Sequence, residues 1–199
     1  MDITLCVVAG LVAGLGARHL TTHLAGRPPA RAVCEATCVA GSLVAAVSGS
    51  GPVEALALAS LIWWCVCLSV VDLLERRLPN VLTGPGAAVI VTLAAATGQG
   101  RAALVGAGLL AGPMLLAHLV SPRSLGAGDV KLAVGVGAAA GAAGPAAWLC
   151  VAVGPPLLTA TAGLVMRVVQ QWRTEAGPVL VPHGPSMCAF TVLALLTTA

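Results

Sequence analysis

Long apolar stretches alternate along the chain with short segments that contain Gly, Pro and charged residues. The apolar stretches cover residues 3–17, 33–49, 55–72, 81–97, 102–120, 129–143, 146–166 and 186–199. A helix needs about 20 apolar residues to cross a bilayer core of about 30 Å, so several stretches are short. The pattern predicts about eight membrane-spanning helices, or six to eight if the shortest do not cross.

The composition supports a membrane protein and excludes other classes. Hydrophobic residues make up 58% of the 199 residues and charged residues 9%, whereas a soluble domain carries about 25% charged residues. Disordered chains are highly charged and are excluded for the same reason. A net charge of +3 without a basic run gives no reason to expect a nucleic-acid partner. We predict an all-α, polytopic integral membrane helical bundle, with residues 1–199 as one membrane-embedded domain surrounded by lipid.

The basic residues predict the orientation of this bundle. With the N-terminus outside, nine of the ten Lys and Arg residues fall at the inner side, and only Arg101 falls outside. The inner ones are Arg18, Arg27, Arg31, Arg76, Arg77, Arg123, Lys131, Arg167 and Arg173. This segregation follows the positive-inside rule. The first apolar stretch is preceded by Asp2 and no basic residue, so we expect a retained helix and not a signal peptide.

Two of the seven acidic residues lie at predicted membrane boundaries. Asp72 stands at the inner end of the third stretch, and Asp129 stands at the inner start of the sixth. The predicted topology places both at the same depth on the same side. Ionisable groups at or inside a span are costly and therefore mark functional sites. We expect Asp72 and Asp129 to form a catalytic pair.

The chemistry of such a pair follows from electrostatics. Two carboxylates about 5 Å apart at an effective dielectric near 20 repel by about 3 kcal/mol, or about two pKa units. One carboxyl group then stays protonated near neutral pH while the other is ionised. The ionised group can activate water against a peptide carbonyl, and the protonated group can polarise that carbonyl and protonate the leaving amine.

Structural interpretations of the same residues stay open. Asp129 could act as a helix N-cap after a Gly-x-Gly turn, and Asp72 could pair with Arg76 at i+4. Gly126 and Gly128 fit either an ordinary helix start or a backbone bend that turns Asp129 toward Asp72. Lys131 is two residues past Asp129 and would not face it on a helix. It could bind phospholipid headgroups or hold the motif loop.

The combination of motifs resembles the bacterial type IV prepilin peptidases, also called leader peptidases, which are membrane aspartic proteases. In that family one aspartate precedes an Arg-(Ile/Leu)-Pro-Asn segment at the inner end of a helix. Asp72 followed by Arg77-Leu78-Pro79-Asn80 matches this pattern. The resemblance implies that Asp72 is catalytic and that Arg77, Pro79 and Asn80 support it.

Two further motifs of the family follow in the same order. The second family aspartate lies in Gly-x-Gly-Asp-x-Lys-Leu, which Gly126 to Leu132 matches and which includes Gly128, Asp129 and Lys131. A Pro-Phe-Gly-Pro-like turn precedes the last helix, and Pro182-His183-Gly184-Pro185 stands in its place. The resemblance implies supporting roles for Gly184 and Pro185, and His183 replaces the usual Phe.

The resemblance implies removal of a short basic leader from prepilins or pseudopilins, at the cytoplasmic side of the bacterial cytoplasmic membrane. It implies no cofactor and no metal, and the seven cysteines form no Cys-x-x-Cys pair. Larger members carry a cytoplasmic loop with two such pairs. The predicted loop of residues 18–32 is short and contains no Cys, so the resemblance does not imply N-methyl transfer. The alternative is a non-enzymatic membrane protein, either a small proton- or ion-coupled transporter or a pilus or secretion assembly partner.

Overall fold

The computed structural model describes residues 2–48, 51–122, 125–173 and 182–198. These residues form eight α-helices and, within those ranges, no β-strand. The helices are α1 (Ile3–Ala25), α2 (Val33–Ser48), α3 (Pro52–Glu75), α4 (Asn80–Ala96), α5 (Gly100–Val120), α6 (Ala127–Ala143), α7 (Pro145–Arg173) and α8 (Gly184–Thr198). The prediction of an all-α membrane bundle is confirmed.

The helices differ in their capacity to cross a bilayer. Four are long and apolar enough to do so: α1, α3, α5 and residues 145–170 of α7. Helices α2, α4 and α8 are apolar but only 16, 17 and 15 residues long. At 1.5 Å per residue they extend about 22–26 Å, less than the hydrocarbon core. Each apolar stretch therefore forms a helix, and four of the helices meet the length of a full span.

Two helices extend beyond their predicted ends. The sequence places the end of the first stretch before Arg18, but α1 continues to Ala25 and ends at Gly26, which has a positive φ of 69°. Arg18 is thus a helical residue, as its helix propensity allows, and its guanidinium pairs with Glu35 of α2 at 3.3 Å. The connection to α2 is therefore residues 26–32, shorter than the predicted 18–32. Helix α7 likewise continues past residue 166 and includes Arg167.

Small residues allow the neighbouring helices to pack closely. A Cβ on Gly10 would lie 2.6 Å from a backbone carbon of Val39, so α1 and α2 approach through their backbones. On α5, a Cβ on Gly106 would lie 2.5 Å from the carbonyl oxygen of Gly137 on α6. Close backbone approach through small residues is typical of helix pairs in membranes, where van der Waals packing replaces the hydrophobic effect.

Helix α3 contributes many of the buried apolar side chains and contacts helices on several sides. The Trp63 indole N–H donates to the carbonyl oxygen of Ala13 on α1 at 3.0 Å, and Trp64 donates to Leu82 on α4 at 2.8 Å. Six of the seven cysteines are buried, and all seven are free thiols. Helix α3 thus connects the first helices of the bundle to those that follow.

The connections between helices bring several motifs to one end of the bundle, which we call the aspartate end. Helix α3 ends there at Glu75 and α6 begins there at Ala127. The connection between α1 and α2 lies at the same end, because Arg27 pairs with Glu75 at 3.2 Å. The helix ends that carry Asp72 and Asp129 therefore lie at the same end of the bundle.

Candidate active site

Asp72 lies in the last turn of α3 and is 6% exposed. Its Oδ2 accepts a hydrogen bond from the backbone amide of Gly184, the first residue of α8, at 3.1 Å. A Cβ on Gly184 would lie 2.6 Å from that same oxygen. The missing side chain therefore lets the N-terminus of α8 approach the carboxylate, where its free amides suit an anionic group.

Asp129 is the third residue of α6 and is half-buried. Its amide donates to the carbonyl oxygen of Gly126 at 3.1 Å, and the Gly126 amide donates back to the Asp129 side chain. The contact of the Asp129 side chain with the Gly126 amide corresponds to one half of a capping box, and Gly126 has no side chain to complete the other half. The N-cap residue is Gly126, so the alternative that Asp129 is itself the N-cap is wrong. Its carboxylate still stabilises the helix start.

Both aspartates line one cavity of about 1150 Å³ and lie close enough to interact electrostatically. The cavity is bounded by α3, α5, α6, α7 and α8. Sequence analysis predicted that Asp72 and Asp129 come together at one depth, and the structure brings them to one cavity. Two carboxyl groups in one cavity can act as a general acid and a general base.

The long walls of this cavity are α5 and α7. Helices α5 and α7 each pack against α6, and the cavity lies between α5 and α7. At the end far from the aspartates, the Trp148 indole N–H of α7 donates to the Gly106 carbonyl of α5 at 3.0 Å. Apolar residues such as Leu110 and Met114 line the α5 wall. The cavity thus combines apolar walls with a polar region around the aspartates.

Two prolines change the hydrogen bonding of the α7 wall. Pro155 and Pro156 lie inside the helix and have no N–H to donate to the carbonyls of Val151 and Ala152 one turn earlier. All four residues line the cavity. The carbonyls of Val151 and Ala152 therefore lack their usual intrahelical donors.

The segment after Asp72 turns sharply. Arg76 has a positive φ of 53°, and its amide donates to the Asp72 carbonyl oxygen at 2.8 Å. In the described part of the chain, the ion pairs within 4 Å join Arg18 to Glu35 and Arg27 to Glu75. The alternative of an ion pair between Asp72 and Arg76 is therefore wrong. The Arg76 side chain instead lines the cavity.

The two aspartate motifs are joined directly. The Lys131 ammonium donates to the Asn80 side-chain oxygen at 2.7 Å, which favours the alternative that Lys131 holds the motif loop. Pro79 is the N-cap of α4. A Cβ on Gly128 would lie 2.9 Å from the Leu78 Cβ, so the start of α6 packs closely against the segment after α3.

The other predicted residues have more peripheral positions. Arg77 is exposed and lies outside the cavity lining. Pro185 occupies the first turn of α8, where a helix does not need an amide donor. Pro182 and His183 line the cavity. The turn before α8 therefore belongs to the site chiefly through His183 and Gly184.

Sequence reasoning missed two polar residues of the α7 wall. Thr159 and Arg167 line the cavity, but the sequence places Arg167 in a loop and gives Thr159 no motif. A usable signal is the helical spacing, because Pro155, Thr159 and Gly163 recur every four residues on one face and all line the cavity. A polar residue on such a face of an apolar helix is a candidate site residue.

Comparison with known proteins identifies one family. The sequence profile of the Type IV leader peptidase family matches residues 59–169, which is more than half of the chain. The matched region contains both aspartates and the segments around them. No curated protein and no solved structure gives a significant match.

Proposed function

We propose that this chain, which belongs to the type IV leader peptidase family, is an aspartic endopeptidase of the bacterial cytoplasmic membrane. It removes the short basic leader of type IV prepilins or pilin-like proteins at the cytoplasmic side. The observation that carries the proposal is that Asp72 and Asp129 line the same cavity, although they come from different helices. Family membership supports protease activity in general, and the paired carboxyl groups support the aspartic mechanism.

In the proposed reaction the two aspartates share one proton. The ionised aspartate takes a proton from water as the water oxygen bonds to the peptide carbonyl carbon. The protonated aspartate polarises that carbonyl and then donates its proton to the leaving nitrogen as the C–N bond breaks. The proton belongs to the pair, so neither residue has a fixed role as acid or base. The Gly184 amide holds Asp72 Oδ2, which leaves Oδ1 for water or the substrate.

The cavity suits a substrate with an apolar segment next to the cleaved bond. The walls formed by α5 and α7 are largely apolar away from the aspartates, and an apolar segment would fill the space between them. Arg76 and Arg167 also line the cavity and would repel a basic leader. We therefore infer that recognition rests on the apolar segment, with the leader directed away from the cavity.

The positions of the aspartates also argue against the transporter alternative. Transport sites lie near the middle of the membrane at broken helices. Asp72 is three residues from the end of α3, and Asp129 is the third residue of α6. A site at the ends of helices favours cleavage of a chain that enters from the membrane boundary.

Co-expression with a prepilin from the same genome tests this proposal. Wild type, Asp72→Asn, Asp129→Asn and Glu75→Gln are compared by gel shift and N-terminal sequencing of the substrate. Glu75→Gln makes the same chemical change one turn beyond Asp72, at a residue outside the cavity lining. We expect leader removal by wild type and Glu75→Gln, and none by either Asp variant at equal membrane insertion. Processing that survives either Asp substitution would exclude the aspartic mechanism.

A further inference from the structure

Hydrogen bonds and one peptide bond connect the α7 wall to Asp72. The Thr159 hydroxyl lies 2.9 Å from the carbonyl oxygen of Pro155 and 3.1 Å from that of Pro156. The same hydroxyl lies 3.2 Å from Nδ1 of His183. Gly184 follows His183 in the sequence, and its backbone amide donates to the Asp72 carboxylate. His183 therefore stands between an anchored residue of α7 and the amide that holds Asp72.

The donor and acceptor roles in these contacts indicate which nitrogen of the neutral His183 ring is protonated. Thr159 has one hydroxyl proton, and its two shorter contacts are to carbonyl oxygens, which only accept, so we assign the proton to the proline carbonyls. The Thr159 oxygen then accepts from His183, which requires the proton of the neutral ring to be on Nδ1. Nε2 is consequently the unprotonated nitrogen.

The backbone of His183 is also held by hydrogen bonds. Its carbonyl oxygen accepts from the Ser186 hydroxyl at 2.6 Å and from the Met187 amide at 3.2 Å. These bonds start α8. The ring contact with Thr159 therefore ties the turn at the start of α8, and with it the Gly184 amide on Asp72, to α7.

We propose that His183, held by Thr159, is a positioning residue that orients the Asp72 carboxylate, and that the charge on its ring adjusts the aspartate pair at acidic pH. This inference rests on the proposed function. The charged and titratable groups that line the cavity around His183 are Asp72 and Arg76 from α3, Asp129 from α6 and Arg167 from α7. His183 precedes Gly184, whose amide binds Asp72, and His183 and Asp72 both line the cavity.

The sign of the pH effect follows from these surroundings. Burial lowers the pKa of His183 from 6.5, and the negative charge of Asp72 partly opposes this shift. The ring is therefore neutral at pH 7 and becomes positive only in more acidic solution. A positive ring beside Asp72 favours the ionised carboxylate, so it keeps the pair singly protonated to a lower pH. Replacement by Phe removes this charge.

Three variants separate positioning from charge in cleavage assays. Thr159→Val removes the hydroxyl, and we expect about a tenfold lower kcat with an unchanged acidic limb in the pH profile. Thr159→Ser keeps the hydroxyl, and we expect it to restore kcat. His183→Phe removes both the hydrogen bond and the charge, so kcat falls and the acidic limb moves about one pH unit higher. Identical profiles for wild type and His183→Phe would overturn the inference while leaving the protease proposal intact.

Nitrogen NMR of ¹⁵N-labelled histidine tests the inference without requiring cleavage. The His183 signal is identified by its loss in His183→Phe. We expect the Nδ1–H tautomer in wild type, a shift toward Nε2–H in Thr159→Val, and a lower pKa of His183 in Asp72→Asn. An Nε2–H ring that does not respond to Thr159→Val would overturn the positioning role. If wild type cleaves no prepilin, the protease proposal fails, and these spectra still decide the His183 contacts.

Discussion

Among the described residues, two large cavities of the bundle share helix α3 and no other helix. A groove of about 730 Å³ is bounded by α1, α2, α3 and α4, and its lining is almost entirely apolar. The aspartate cavity of about 1150 Å³ uses the other end of α3 together with α5 to α8. In the groove, the indole N–H groups of Trp63 and Trp64 are both bound to backbone carbonyls.

The difference between the two cavities shows how this fold separates packing from chemistry. The polar atoms of the two groove tryptophans are bound to the fold itself, so they are not free to act on a ligand. The aspartate cavity instead contains two carboxyl groups, two arginines, a histidine and a threonine. Both cavities are large, so size does not identify the site. The convergence of polar groups is what makes the aspartate cavity the candidate site.

Among the variants that test the difference between the two cavities, Gly184→Ala is expected to have the largest effect. The added Cβ would displace the Asp72 carboxylate and break its bond to the Gly184 amide. Misplacement of a catalytic group by about 1 Å costs about 100-fold in rate, so we expect about 100-fold slower leader cleavage with normal membrane insertion. Gly108→Ala on α5 is the control, because its Cβ would meet nothing within 4 Å. Full activity of Gly184→Ala would remove the Gly184 amide from the mechanism.

The groove is tested by Gly86→Ala. A Cβ on Gly86 would collide with the Trp64 indole and disturb its bond to Leu82. Overpacking of this kind costs about 1–3 kcal/mol, so we expect a lower unfolding midpoint in SDS but unchanged cleavage per folded molecule. Gly84→Ala lies two residues earlier in open space and controls for helix propensity. If Gly86→Ala keeps its stability and loses specific activity, the groove is part of the catalytic machinery.

A smaller effect is expected where the two aspartate motifs meet. Lys131→Met and Asn80→Ala each remove the bond between these side chains. A charged hydrogen bond contributes about 1.5–3 kcal/mol, and less when exposed, so we expect about tenfold slower cleavage from either variant. The double variant should be no slower than the single ones, since they remove the same contact. Multiplied effects in the double variant would show that the residues act independently.

The smallest effect is expected from Arg27→Ala, which removes the exposed ion pair with Glu75. Such pairs contribute about 0–1 kcal/mol. We expect a change of less than about 1 kcal/mol in unfolding free energy and unchanged cleavage. A strong loss of cleavage would assign this pair a role in the site, although neither residue lines the cavity.

The sequence predicts the helices and the aspartate motifs better than the contacts among them. Eight apolar stretches correspond to eight helices, because hydrophobic runs reflect local structure. The end of α1 was predicted wrongly because Arg18 suggests a boundary, whereas its pairing with Glu35 depends on tertiary packing. Lys131 left two alternatives open for the same reason, since its partner Asn80 is 51 residues away.

The cavity itself was the least predictable part. Thr159 belongs to no recognised motif, and its importance depends on where α8 begins relative to α7. The bond between Trp148 and Gly106 that joins α5 and α7 gives no sequence signal either. Such contacts arise from the way in which distant helices pack, which local periodicity does not encode.

The Gly184–Asp72 bond also has a consequence for how the protein is made. The amide that holds Asp72 comes from a residue 112 positions later in the chain. Ribosomes add about 5–20 residues per second, so α3 is synthesised several seconds before α8. Asp129 is added midway through that interval, and the nascent chain still lacks the amide that orients Asp72. Under the proposed mechanism, the site is complete only when α8 has joined the helices already in the membrane.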